Sequence, residues 1–175
     1  MQVTSLRQSV VILCTAIGAM IATVAFAQGD IVTTKKLSWR LAVEIATEAM
    51  SACEAQGYAV TVSVVDSGGN QQALIKSDLA PAHTVSVAYR KAYTAYAYGF
   101  VFGMGSTGEL IAAGKTGPAN GALNTIPNVL FLPGGATIRS GKDVLGGIGV
   151  SGAPGGEKDE ACALAALAKY KARIE

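Results

Sequence analysis

The chain has 175 residues, half of them apolar, with 14 basic and 12 acidic residues and a formal net charge of +2. That length suggests one domain, and a near-balanced charge without a basic patch argues against a nucleic-acid partner. One histidine and three scattered cysteines leave structural zinc without the clustered ligands it wants.

In chain order, residues 2–27 read as an export leader. Arg7 gives a weak positive start, Ser9 to Ala27 carries no charge, and Ala25-Phe26-Ala27 is a small-x-small cleavage site placing the mature start at Gln28. The uncharged run is also long enough to span a bilayer, but its Ala, Gly and Thr content and its Ala-x-Ala end favour cleavage. Cys14 sits inside the apolar run, with Ile12 where a lipoprotein signal wants a small residue. The remainder, 28–175, is long enough for an apolar core without staples. It would work outside the cytoplasm, in the periplasm, where disulfides persist.

Leu37 to Gln56 predicts the first helix, with Leu41, Ile45, Ala49 and Cys53 recurring every four residues and Gly57 as its stop. Trp39 is expected to pack at its start. Ala59 to Asp66 alternates and is rich in valine, Ser67 to Asn70 is a turn, and Gln71 to Lys76 returns, which together predict a β-hairpin. Asp66 is expected to fix the turn by accepting backbone N–H bonds.

A second helix is expected from Pro81 to Gly99, since proline suits a helix start and glycine its end. His83, Val87, Arg90, Lys91, Thr94 and Tyr98 lie along one side of it. An imidazole, two cations and a hydroxyl on one face suggest an anion or cofactor site; a solvated face that includes a histidine gives the same pattern. Phe100 to Gly108 is a glycine-rich connection, Thr107 to Ala113 a short helix, and Lys115 to Asn128 a long loop of a kind often tied to function. Val129 to Leu132, Ala136 to Arg139 and Val144 to Val150 read as three short strands, and Glu157 to Ile174 as the last helix. That helix is acidic in its first turn and basic near its end, complementing its dipole. Cys53 and Cys162 fall on the first and last helices, either bridged or as two buried thiols, and only their separation decides. The order of elements predicts an α+β fold, an antiparallel sheet with helices packed on it.

Three near-motifs fail. Gly147 to Gly152 spells GxGxxG, but no second parallel strand can follow before the chain ends at Glu175. Gly114-Lys115-Thr116 lacks the first glycine of a phosphate loop, which would fall at Glu109. Gly149-Val150-Ser151 has Ala153 where a nucleophile elbow needs glycine, and the only histidine precedes the serine rather than following it.

Four stretches occur together: VVDSGGN (Val64 to Asn70), RKAYTAYAYG (Arg90 to Gly99), the LPGG turn (Leu132 to Gly135) and GGIGVSGAPGGEKDEACALAAL (Gly146 to Leu167). In combination they resemble the GlcG/HbpS family of haem-binding and haem-degrading-type domains, related to the C-terminal domain of PduO-type proteins. The resemblance covers nearly all of residues 28–175. It implies a five-stranded antiparallel sheet flanked by helices, a PAS/profilin-like sandwich, and assembly into homo-oligomers. It also implies haem as a non-covalent cofactor, since there is no CxxCH, in a role such as haem storage, sensing or degradation. With one imidazole in the chain, His83 is the expected iron ligand. Arg90 and Lys91 would pair with the propionates, Thr94 would hydrogen-bond or weakly ligate, Tyr93, Tyr96 and Phe102 would offer aromatic walls, and Met104 a thioether. Structural roles compete with these: Lys91 in an ion pair with Asp66 or Asp159, and Thr94 bonded back to the carbonyl of Arg90. The alternative reading is a cofactor-free binding module or enzyme for a small carboxylate, with Arg90 holding the anion, His83 as acid or base, and the 105–128 loop as a cover.

Overall fold

The alternating, valine-rich stretches form an antiparallel sheet in the computed structural model, which describes residues 31–116 and 118–175. The leader expected over residues 2–27 lies outside the described residues. The strands are β1 (Thr61–Asp66), β2 (Gln71–Lys76), β3 (Gly135–Ser140) and β4 (Asp143–Ser151), in the order β2-β1-β4-β3. The helices are α1 (Trp39–Glu54), α2 (Thr84–Phe102), α3 (Thr107–Ala112) and α4 (Gly156–Ile174). Helices α1 and α4 cover one face of the sheet and α2 the other. No described helix is long and apolar enough to cross a membrane.

The hairpin follows from its residues. One Asp66 Oδ1 accepts the N–H groups of Gly68 at 2.8 Å and Asn70 at 3.0 Å, holding the turn that the sequence predicts. Helix α1 starts on Ser38, whose hydroxyl accepts the Leu41 N–H, and buries Leu41, Ile45, Ala49 and Cys53 as their spacing requires. Trp39 does not pack at the start as expected. Leu37 takes the buried place there, while Trp39 is 59% exposed with the Arg40 guanidinium over its ring. Such stacking covers an aromatic face without burying it in the core.

The sheet has four strands, not the expected five. Val129 to Leu132 takes no regular structure and pairs with no strand. Its backbone groups are met by side chains of α2 instead: the Arg90 guanidinium donates to the Val129 carbonyl at 2.7 Å, and the Leu130 N–H donates to Thr94 Oγ1 at 2.7 Å. A short apolar run reads alike whether a strand or a helix satisfies its backbone. Helix α2 also runs past Gly99 and closes at Gly103, which takes a left-handed φ of 69°. Gly99 serves close packing, since a Cβ there would lie 2.1 Å from Thr137 Oγ1.

Glycines in β4 let α2 lie directly on the sheet. A Cβ at Gly149 would sit 2.2 Å from the Ala88 carbonyl oxygen, and one at Gly147 2.3 Å from that of Ala92. Any side chain there would push α2 off the strand. On the opposite face Val62, Val64, Ile148 and Val150 pack with the buried residues of α1 and α4 into the main core. Cys53 and Cys162 are bridged, with Cα atoms 5.5 Å apart, and join α1 to α4.

Candidate functional site

The first half of α2, the 151–156 loop and Leu132 enclose an open cleft of about 430 Å³. Its apolar wall comes from Pro81, Val87 and Leu132, and its polar groups from His83, Lys91, Ser151 and Asp159. Leu132 is there because Arg90 and Thr94 hold the 129–130 backbone against α2. The loop is there because β4 ends at Ser151 and α4 begins at Gly156.

His83 occupies the N-cap of α2 and makes no capping bond through its side chain, which is exposed beside the cleft. Two turns on, Lys91 is 1% exposed. Its ammonium donates to Asp159 Oδ2 at 2.7 Å and to the Val150 carbonyl at 3.0 Å. The other Asp159 oxygen accepts the Ala153 N–H at 2.9 Å. The pair therefore ties α2, the end of β4 and the cleft-forming loop together at one point. Burial pushes the Asp159 carboxyl up from the ordinary aspartate range, against the opposing pull of Lys91 and of the Ala153 and Gly152 amides.

The structure thus brings His83 and Lys91 to one cleft and places Arg90 and Thr94 outside its lining. Thr94 bonds back to the Arg90 carbonyl at 2.8 Å while accepting from Leu130. Of the two acids considered as partners for Lys91, Asp159 takes the role and Asp66 stays in its turn. The other aromatic and thioether candidates also lie away from the cleft. Tyr96 donates to the Ser67 carbonyl of the hairpin, Phe102 stacks on Tyr98, and the Met104 carbonyl accepts from Thr137.

Two features escaped the sequence reading. Ser151 and the loop after it carry no role in the sequence reading once the GxGxxG and nucleophile-elbow matches fail, although a glycine-rich stretch running into a helix with no Ser, Thr, Asp or Asn at its cap is a signal of exposed amide donors. Glu160, read only as a dipole partner, clamps three elements: its carboxylate accepts Ser106 Oγ at 2.8 Å, the Gly108 N–H at 2.8 Å and the Gly134 N–H at 3.1 Å. It thereby caps α3 and fixes the turn into β3.

A family described as haem degrading protein HbpS-like matches residues 37–168. Among solved structures, a double mutant of HbpS from Streptomyces reticuli is 34% identical, over 81% of this chain and 91% of that one, with a TM-score of 0.72. The Klebsiella pneumoniae protein ORFY is 25% identical over 82% of this chain and 97% of its own, with a TM-score of 0.72. PduOC, solved as a complex with haem, is 26% identical over 76% of this chain and 94% of its own, with a TM-score of 0.66. No curated protein sequence matches the chain.

Proposed function

The chain belongs to the HbpS-like family of haem-degrading proteins, and from that membership we propose that it binds haem non-covalently in the cleft at the start of α2. The observation that carries the reading is the position of its only histidine, exposed at the edge of a cleft with an apolar wall. A neutral imidazole is an ordinary iron ligand, and apolar walls with a few polar groups are the usual form of a cofactor site. The haem complex of the similar PduOC supports the same ligand.

His83 is the residue proposed to meet the iron, and Val87 and Leu132 to face the macrocycle. Lys91 spends its charge on Asp159, and Arg90 donates to Val129, so on this reading both act by shaping the wall. Thr94 acts with Arg90 by holding Leu132 in place. Haem bound there would supply iron redox chemistry. The carboxylate alternative assigned the anion to Arg90, whose guanidinium donates to a backbone carbonyl outside the cleft, so the haem reading is preferred.

Titration of the purified protein with haemin should give a saturable Soret shift, with affinity weakened about tenfold or more in His83→Ala, the scale of one lost specific interaction. A wild-type protein without a saturable shift would remove haem as the ligand. Unchanged affinity in the variant would remove His83 as the iron's partner.

Export belongs to the same reading: residues 2–27 act as a cleaved leader to the periplasm. The bridge between Cys53 and Cys162 supports it, because such bonds persist in oxidising compartments. Mature protein should begin at Gln28 by N-terminal sequencing, and protein retaining Met1 would count against export.

A further inference from the structure

We propose that the polar end of the cleft is an anion site, formed by the N-terminus of α4 and the Ser151 hydroxyl, that receives the carboxylate of an amphipathic ligand. Helix α4 is 19 residues long and starts on Gly155, which supplies no side-chain cap. The Lys158 and Asp159 N–H groups bond to the Gly155 carbonyl, whereas those of Gly156 and Glu157 have no protein partner among the described residues. Helix α2 also begins at this cleft, on His83, without a side-chain cap. The first amides of α2, Thr84 and Val85, already bond to the Pro81 and Ala82 carbonyls, so the free donors at this end of the cleft are those of α4, whose N-terminus favours negative charge.

Ser151 is the independent observation. It is 6% exposed, lies on β4 in the same alternation as Gly147 and Gly149, which face α2, and lines the cleft. Its hydroxyl has no protein partner among the described residues. The neighbouring buried hydroxyls are all engaged: Thr61 with Thr84, Thr94 with Arg90 and Leu130, Thr107 with Gly135, Thr137 with Ala95. The Ser151 hydroxyl is not among the sealed, unpartnered buried atoms, so what remains exposed of this residue opens into the cleft, where it can bond to what enters. Asp159 does not repel an arriving anion, because Lys91 neutralises it. The Glu157 carboxylate stands at the rim, its Oε2 3.4 Å from where a Gly155 Cβ would lie. Being exposed, it can swing away.

Two amide donors and one hydroxyl suit the two oxygens of a carboxylate, and the apolar wall opposite suits the rest of an amphipathic molecule. On the haem reading, from which this inference takes only the source of the anion, that carboxylate is a propionate of haem. A free short-chain acid is the other source.

Amide NMR at constant ionic strength, with propionate as the probe, tests the site. Saturable shifts are expected at Gly156 and Glu157, with affinity weakened about tenfold in Ser151→Ala, the scale of one hydrogen bond to a charged group, and strengthened in Glu157→Gln. No saturable shift at these amides, or affinity unchanged in both variants, overturns the proposal. Haemin and haemin dimethyl ester then separate the sources. Weaker binding of the ester, in wild type but not in Ser151→Ala, assigns the site to the propionates of haem. Equal binding of the two assigns it to a free carboxylate. Haemin that fails to bind at all removes the haem reading and leaves the propionate titration to decide the site.

Discussion

Lys91→Met is expected to destabilise the fold by about 3–5 kcal/mol, the usual cost of removing one partner from a buried ion pair. The cause is what stays behind. Asp159 is 3% exposed, and without the ammonium its carboxylate keeps the Ala153 amide but has no counter-charge. Burial already pushes that carboxyl up, so the pair as a whole is costly to bury even though each member depends on the other. Asp159→Asn alone should be comparably damaging, because it leaves a lysine charge buried at 1% exposure. The double variant, Lys91→Met with Asp159→Asn, should recover at least half of the loss. It removes both charges and keeps the oxygen that accepts from Ala153. Urea unfolding with an unchanged m-value measures all three. Single variants that lose less than about 1 kcal/mol, or a double variant that loses the full sum, would show that the two groups are not coupled.

That pair marks the limit of what spacing along one chain can reveal. The α1 face was legible because Leu41, Ile45, Ala49 and Cys53 follow the helical period, and the hairpin because Asp66 and its glycines spell a turn. The four-residue run at Val129 failed as a strand for a definite reason. Its Val129 carbonyl and Leu130 N–H are taken by the side chains of Arg90 and Thr94, 39 and 36 residues away, and local pattern carries no information about them. The one-sided array on α2 was legible as an array, but its members divide. His83 and Lys91 face the cleft while Arg90 and Thr94 face the 129–130 backbone, because residues adjacent on a helix point about 100° apart. Lys91, a charged residue within that array, is among the most deeply buried side chains. Two acids competed for it on paper, and only the packing of α4 against the sheet brings Asp159 rather than Asp66 within reach.

Replacing both Cys53 and Cys162 by alanine should cost about 4 kcal/mol. The bridge spans 109 residues of sequence, and closing a loop of that size removes chain entropy from the unfolded state worth up to about 4.7 kcal/mol. Little else fastens α4 to α1 so firmly. The pairs Glu44–Arg173 and Glu48–Lys169 cross between the helices, but they are exposed, and exposed pairs contribute roughly 0–1 kcal/mol. Five of the eleven residues the two helices bury are alanines, Ala42, Ala46 and Ala49 on α1 and Ala163 and Ala166 on α4, and so small a side chain buries little apolar area. The first turn of α4 carries Asp159 and Glu160, which hold the cleft loop, α3 and the turn into β3. On the haem reading proposed above, a chain without the bridge should therefore lose haemin affinity as it approaches its unfolding midpoint, before the sheet melts. Urea titration of the double-alanine variant, followed in parallel by haemin binding and by far-UV circular dichroism, measures both effects. A midpoint within about 1 kcal/mol of the oxidised protein, converted through the m-value, would mean that core packing and the surface pairs hold α4 by themselves.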